Sequence, residues 1–295
     1  MLRISALNDS SCSEDDSQKI ELTKTKEAKE AEAFAAYNKA LSHQHKGSTL
    51  HAEKLLRNLF DHPFLKEASN LVGGDDYQPQ TLNHPGLHLL YSIHKNLASI
   101  LLQRGQLQEA IAAYIEAVKV DSSEVTVWFK MGQVAKELHN YPLAKICFQQ
   151  ALQCNPNHWP SLDNAITVTF ALGDYLTCLE NISTALEKDC TYPKGLAFRK
   201  QILSEQPSLE SLTKELFIYC DPKIHMLAVD AEETKEYINE ALKFRATRRQ
   251  MILEHQEKEH QPLTFRKPLT PFTWKNVGEQ LIDLYDFAVN SNPPK

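Results

Sequence analysis

One pattern of residue types recurs every 34 positions in this 295-residue chain, and no other feature constrains its fold as strongly. A small residue stands at positions 98 and 132, alanine at 110 and 144, and an aromatic residue at 114 and 148. A weaker third copy follows, with Cys178, Ile182 and Ala185 in the same register. Because one short helical unit cannot bury an apolar face alone, this period predicts a stack of helix pairs.

The second copy carries the fullest pattern. Its defining residues are Trp128, Met131, Gly132, Ala144, Phe148, Ala151 and Pro156. In type and spacing they follow the tetratricopeptide-repeat (TPR) signature, in which small residues let two antiparallel helices approach and a large residue fills the remaining space. The chain is therefore predicted to be all-α, a TPR-type solenoid in which antiparallel helix pairs form a right-handed superhelix.

The register also divides the chain. Three regular units are predicted at 91–124, 125–158 and 159–192, preceded at 21–90 by N-terminal helices and a degenerate first unit. Residues 70–86 are rich in Gly, Pro and Asp, so a loop is predicted there. Residues 193–259 are predicted to form less regular helices, the last of them long and charged.

The two ends are predicted to differ from the array. Residues 1–20 are expected to be a flexible acidic tip, and 260–271 a proline-containing linker. At 272–295, Trp274-x-x-Val277-Gly278 repeats the first half of the TPR pattern without its second helix. We therefore expect a fragment or a short isoform of a longer protein.

Composition excludes several partner classes. A net charge of −6 gives no general attraction to nucleic acid, so no direct DNA or RNA contact is expected. No window of about 18 apolar residues predicts a membrane helix. The six cysteines are scattered without a C-x-x-C motif, which favours an intracellular, reduced chain.

Common catalytic and metal-binding motifs are defined by the spacing of their residues. The sequence has no G-x-S-x-G elbow, phosphate-binding loop, G-x-G-x-x-G or H-E-x-x-H motif. His84 and His88 are four apart, but Pro85 between them breaks the helical spacing, and we expect an ordinary surface pair. The predicted protein is not an enzyme and has no cofactor or metal.

A polar stripe is predicted on the concave face of the solenoid, which the first helix of each pair lines. Its candidate binding residues recur at 34-residue intervals and are Lys95, Asn96, Ser99, Lys130, Gln133, Asp163 and Asn164. Such groups can hold a peptide backbone or carboxylates, or they can simply keep the face soluble. The role of the basic run at 243–249 also has several interpretations. It could be a nuclear-import patch, a docking face or a solvated helix surface.

A second hypothesis is a co-chaperone adaptor that grips the acidic C-terminal tail of a chaperone. The TPR clamps of that class use lysine, asparagine and arginine at five positions of the first helices. The corresponding positions here are Tyr37, Leu41, Asn96, Thr126 and Lys130. Only the asparagine and one cation are kept, so the sequence resembles the clamp poorly.

Several stretches that TPR packing does not require resemble one family. They lie at 1–8, 26–34, 154–164, 174–179, 185–190 and 271–275, and include Cys-Asn-Pro-Asn-His-Trp-Pro at 154–160. They are similar to the Cabin family of calcineurin-binding proteins. The resemblance implies a nuclear, non-enzymatic scaffold that contacts subunits of the HIRA histone-chaperone complex in replication-independent nucleosome assembly and repression.

The same resemblance limits the assignment. Members of that family are far longer, and their calcineurin-binding segment corresponds to no part of this chain. A third hypothesis, a TPR domain joined to an enzyme elsewhere in a longer chain, does not account for the stretches outside the TPR pattern.

Overall fold

The structure is a computed structural model that describes residues 25–72, 84–218 and 232–259, with the backbone alone for 248, 249 and 251–259. The regular elements within these ranges are all helices. The predicted acidic tip, proline-containing linker and terminal half-unit, at 1–20, 260–271 and 272–295, lie outside the described residues.

The first helices, with their insertion, are α1 (Lys26–His45), α2 (Thr49–Leu59), α3 (Pro63–Val72), α4 (Pro85–Gln103) and α5 (Leu107–Val120). The central array continues with α6 (Val125–Glu137), α7 (Tyr141–Cys154), α8 (Trp159–Leu172), α9 (Tyr175–Lys188) and α10 (Pro193–Glu205). It ends with α11 (Ser208–Thr213), a 3₁₀ turn (Lys214–Phe217) and α12 (Glu232–Glu259).

Consecutive helices pair as the repeat predicts. The pairs α4–α5, α6–α7 and α1–α2 share the most extensive contacts, and α8 packs on both α7 and α9. Within three pairs the chain turns through one left-handed residue, at Gly105, His139 and Gly173, with φ of 74°, 57° and 74°. These residues are 34 apart, so the backbone follows the same path in each unit. The all-α TPR-type fold is confirmed.

The turns between units repeat in the same way. Asp121, Asn155 and Asp189 cap three successive second helices in an extended conformation. Each side-chain Oδ1 accepts a hydrogen bond of 2.9 Å from the backbone N–H two residues on. Pro156 reinforces only one of these turns, so the shared stop signal is the short polar side chain.

Small and large residues interlock inside the units. Ala117, Ala151 and Ala185 are fully buried at the same register position of three second helices. A Cβ added to Gly132 would lie 2.7 Å from Cε1 of Phe148, so only glycine allows the close approach there. Close packing of this kind fixes the separation of α6 and α7.

The structure corrects several sequence predictions. The loop expected at 70–86 is shorter at both ends, because α3 continues to Val72 and α4 begins at Pro85. Proline suits that first helical position, since its missing N–H would have no intrahelical partner, and the His84 side chain caps the helix. Within 193–259, where less regular helices were predicted, helix α10 still continues the 34-residue register, and α11 with the 3₁₀ turn after it does not.

Three cysteines lie in the helices of the regular units. Cys147 and Cys178 are buried and fill the interior, whereas Cys154 at the end of α7 is exposed. The Cys154 Sγ lies 3.4 Å from the carbonyl oxygen of Ser122.

The long helix α12 does not extend the array as another pair. It packs on α8 and α10, which are both first helices of their units. Ala241 is fully buried in the core of this region, and Tyr237, Ile238 and Leu242 pack against that core. A helix from outside the repeat register therefore lies across the face that first helices form.

Candidate protein-binding face

The first helices α4, α6, α8 and α10 present one continuous side of the array, which we call the inner face. All seven candidate binding residues predicted from the sequence lie on three of these helices, α4, α6 and α8. Their surroundings are not equivalent. Four of them join neighbouring helices, and the other three remain available.

Lys95 is engaged by the next unit. Its Nζ lies 2.5 Å and 2.7 Å from the two carboxylate oxygens of Glu124, which precedes α6, and Tyr91 also donates to that carboxylate. Burial alone would raise the pKa of Glu124, but the hydrogen bonds from Lys95, Thr126 and Tyr91 outweigh it and lower that pKa. Lys95 thus ties two units together.

Asn96 is engaged by the preceding unit. Its side-chain amide donates a 2.6 Å hydrogen bond to the hydroxyl oxygen of Tyr37 on α1. Burial raises the pKa of the Tyr37 hydroxyl, so the hydroxyl stays neutral. The neutral amide of Asn96 is therefore a suitable hydrogen-bond partner for it. The asparagine that resembled the chaperone-tail clamp is therefore occupied within the chain.

Asp163 on α8 is held by the following unit. Lys194 places Nζ 2.9 Å from both carboxylate oxygens, and Tyr192 donates a 2.5 Å hydrogen bond to the same group. Burial and the nearby charge of Asp163 raise the pKa of Tyr192. With only 14% of its side chain exposed, Lys194 forms a better-shielded pair than Lys95 does.

Asn164 completes the set of engaged residues. Its Oδ1 accepts a 2.7 Å hydrogen bond from Lys136 on α6, and its amide donates to the backbone oxygen of Pro160. Burial and the charge of Lys194 lower the pKa of Lys136. These contacts set the spacing of α6 and α8.

Three candidate residues are accessible. Lys130 and Gln133 on α6 are exposed, and in the described part of the chain neither makes a hydrogen bond or ion pair. Ser99 on α4 is half-buried. Together they form a small polar surface that can present a cation and an amide to a protein partner, and we call it the open surface.

The other half of the inner face is covered by α12. Arg245 lies with its guanidinium carbon 4.3 Å from the ring centre of Phe170 and 5.4 Å from that of Tyr175. Its Nη1 pairs with Glu205 at 3.0 Å, and its Nη2 donates to the Phe170 carbonyl oxygen at 3.2 Å. One side chain thus binds the C-terminal ends of both α8 and α10.

This contact has no direct signal in the sequence. Arg245 belongs to the basic run at 243–249, for which a nuclear-import patch, a docking face and a solvated helix surface all stayed open. Lys243 in that run is exposed, whereas the Arg245 side chain is 12% exposed. An aromatic residue in each of α8 and α9 is the feature that could have suggested a cation site.

The opposite side of the array contains a cavity of about 490 Å³ between α2, α4 and α5. Apolar residues and His94 line its floor, and its rim carries charges of both signs. Phe60 lies 4.7 Å from His94 between ring centres, and burial lowers the pKa of His94 to about 4. The imidazole is therefore neutral at pH 7 and packs as an apolar ring.

The described residues form neither a metal centre nor a membrane-spanning helix. Within 25–72, 84–218 and 232–259, no three histidine, cysteine or acidic side chains cluster as metal ligands. The His84 side chain caps the N-terminus of α4, and the side chain of His88, a residue within that helix, is exposed to solvent. Across the same residues, no helix combines the length and apolar character that crossing a membrane requires.

Comparison with known proteins gives a family match. The model of the CABIN1 N-terminal domain family matches residues 30–207, which run from α1 to just beyond α10. Calcineurin-binding protein 1 of Arabidopsis thaliana is 27% identical over 182 residues, which is 61% of this chain and 9% of that protein. The chain thus matches a small part of this longer relative.

Solved structures show weaker likeness. A tetratricopeptide repeat protein from Parabacteroides merdae is 17% identical, with 86% of this chain and 98% of that chain covered and a TM-score of 0.46. MamA is 12% identical, with 81% and 98% covered and a TM-score of 0.44. These scores are low, so the repeat architecture rests on the helix pairs described above.

Proposed function

The chain belongs to the CABIN1 N-terminal domain family, and from that membership we propose that it is a non-enzymatic interaction subunit of the HIRA histone-chaperone complex. In this role it would act in the nucleus, in replication-independent nucleosome assembly and transcriptional repression. The observation that carries the proposal is the match over 30–207, because it spans the helix array itself. Stacked helix pairs form an extended surface that can bind other proteins, so the array is a protein-interaction scaffold.

The inner face supports a protein partner. Its open surface offers Lys130, Gln133 and Ser99, which suit a carboxylate, a backbone carbonyl and a backbone N–H. An exposed cation there contributes more to orientation and association rate than to affinity. We propose that a subunit of the complex contacts this surface. Calcineurin binding is not extended to this chain, because the match covers 9% of the relative that carries that name.

The chaperone-tail adaptor is not favoured by any described contact. Asn96 is bonded to Tyr37, and Lys95 to Glu124, so two polar groups on the relevant helix are already satisfied. A clamp needs several free donors that converge on one carboxylate. Lys130 alone would supply a single charge.

The test is affinity purification of the tagged chain from nuclear extract, followed by quantitative mass spectrometry. The first variant carries Lys130→Glu and Gln133→Ala, which change the open surface and none of the contacts between units. The matched control carries Lys54→Glu and Gln153→Ala, which make the same changes at exposed positions of the second helices α2 and α7.

We expect the wild type and the control to recover HIRA-complex subunits, and the inner-face variant to recover at least about tenfold less. Equal recovery by the wild type and both variants would remove the open surface from the proposal. Recovery of cytosolic chaperones alone would contradict the proposed complex and favour the adaptor.

A further inference from the structure

The contact face of α12 follows a regular helical spacing. Thr234, Ile238, Ala241 and Arg245 stand at positions i, i+4, i+7 and i+11, which lie along one side of a helix. Thr234 and Ala241 are 1% and 0% exposed, and Ile238 packs against the core formed with α8 and α10. Tyr237 and Leu242 flank this stripe and pack against the same core, so α12 contacts the inner face through the stripe and its margins.

The two ends of this stripe differ in chemistry. Ala241 is fully buried, so the inner face accepts a small side chain at that point and excludes a larger one. Four residues on, Arg245 stacks on Phe170 and pairs with Glu205. A small residue followed by an arginine one turn later is thus the recognition element of this contact.

The contact is also incomplete. The Nε of Arg245 is buried and has no acceptor among the described residues, so the site does not satisfy the whole guanidinium. Ala241 is the one fully buried apolar residue that α12 adds to the described core. Half of its other described side chains are polar and exposed, including those of Glu236, Asn239 and Lys243. The rest of the contact is made by Tyr237, Ile238, Leu242 and Phe244, which pack partly buried against the array around Ala241 and Arg245.

The site and its occupant belong to different parts of the chain. Both α8 and α10 lie inside the residues that the family model matches, 30–207, whereas α12 begins at Glu232. Thirteen residues, 219–231, connect it to the array. The binding face is therefore part of the family domain, and the helix that covers it lies beyond that domain.

We propose that the inner face of α8 and α10 is a helix-binding site that α12 occupies in cis, and that a partner helix displaces α12 by presenting a small residue followed four positions later by arginine. The site is distinct from the open surface on α4 and α6. The inference holds whether or not the HIRA assignment does, because it rests on two segments of this chain.

The experiment measures binding of a fluorescent peptide with the sequence of residues 232–247 to the full chain. Three chains are compared, namely wild type, Arg245→Glu, and Lys243→Glu as a control with the same charge reversal at an exposed position two residues away. We expect the Arg245→Glu chain to bind the peptide at least about tenfold more tightly than wild type, because its own α12 no longer competes. The Lys243→Glu chain should match wild type, and a peptide carrying Arg245→Glu should not bind.

Hydrogen exchange on the same three chains reports the release of α12 directly. We expect faster exchange of α12 amides in the Arg245→Glu chain, with the amides of α1 and α2 unchanged. Ala241→Leu provides a second route to the same state, because it removes the contact by steric overlap and leaves the charge in place.

Three results would overturn the proposal. Peptide binding no tighter to the Arg245→Glu and Ala241→Leu chains than to wild type would show that no helix-binding site is uncovered. Simultaneous loss of protection in α8, α10 and α12 would make α12 a permanent structural cap. An Arg245-dependent dimer in light scattering would place the α12 of a second copy on the site.

Discussion

The inner face has two halves, and the same repeat builds both. Over α4 and α6 it presents exposed polar groups, Lys130 and Gln133, to solvent. Over α8 and α10 it is covered by α12, through Ala241 and Arg245. The difference teaches that the repeat fixes where a binding face lies, while a helix outside the register decides whether that face is available.

The halves also differ in how tightly neighbouring units are joined. Lys95 and Glu124 form a pair that is about one-third exposed, at 36% and 33%. The corresponding contact of Lys194 and Asp163 leaves the lysine 14% exposed and adds the Tyr192 hydroxyl. Shielding from water strengthens a charge pair, so the covered half is held more firmly between units.

The largest expected effect tests whether the halves unfold together. Phe148→Ala empties a fully buried aromatic site between α6 and α7 and should destabilise the chain by about 3–5 kcal/mol. Chemical denaturation measures the change in unfolding free energy, and hydrogen exchange shows which helices lose protection. Ile182→Val, 34 residues on, removes a single methyl group and should cost about 0.5–1.5 kcal/mol. If α8–α10 keep full protection in Phe148→Ala, the two halves are independent units.

The second effect concerns pH and belongs to the open half. His94 lies 34 residues before Trp128 and lines the cavity between α2, α4 and α5, with a pKa lowered to about 4 by burial. Unfolded histidine has a pKa of about 6.5, so between pH 6.5 and 4 the unfolded chain binds more protons and stability falls as pH falls. The loss should reach at most about 3 kcal/mol.

His94→Leu separates this contribution from that of other groups. Leucine occupies the same register position at Leu162 and Leu196, where it is buried. We expect the variant to lose less stability than wild type between pH 6.5 and 4 in urea denaturation. An unchanged pH profile would show that another group causes the acid sensitivity.

A smaller effect concerns the turns within the units. His139 adopts a φ of 57° in the α6–α7 turn, where the neighbouring units have Gly105 and Gly173. A side chain in the left-handed region costs about 1–2 kcal/mol, so His139→Gly should stabilise the chain by about 1 kcal/mol. Thermal unfolding measures the gain. A destabilised variant would mean that the contact of His139 with the Tyr141 hydroxyl, at 3.0 Å, outweighs the strain.

The smallest effect compares an exposed lysine of the open half with a shielded lysine of the covered half, by their contributions to stability. Lys130→Ala should change the unfolding free energy by no more than about 0.5 kcal/mol, because the side chain is exposed and lacks a described partner. Lys194→Ala should cost more, since it leaves Asp163 without its ion pair. Equal costs in urea denaturation would contradict the assignment of Lys130 to the open surface and Lys194 to the array.

Sequence reasoning reached the fold class, the 34-residue register and the family, and each was confirmed. It also placed the seven candidate residues on the correct helices. It did not find which of them were engaged, because the partners Tyr37, Glu124 and Lys194 come from neighbouring units. The Asx turns at Asp121, Asn155 and Asp189 have a signal that is readable in the sequence, a short polar residue at 34-residue spacing.

The sequence by itself determined the backbone path. Small and large residues at fixed spacing allow only one way for each helix pair to close, and the turn residues repeat with them. Only the tertiary structure decided which surface side chains are available to a partner, because that availability depends on groups far away in the chain. Arg245 reaches the Phe170 carbonyl across 75 residues. No local periodicity encodes that contact, since it arises from the docking of one helix across several others.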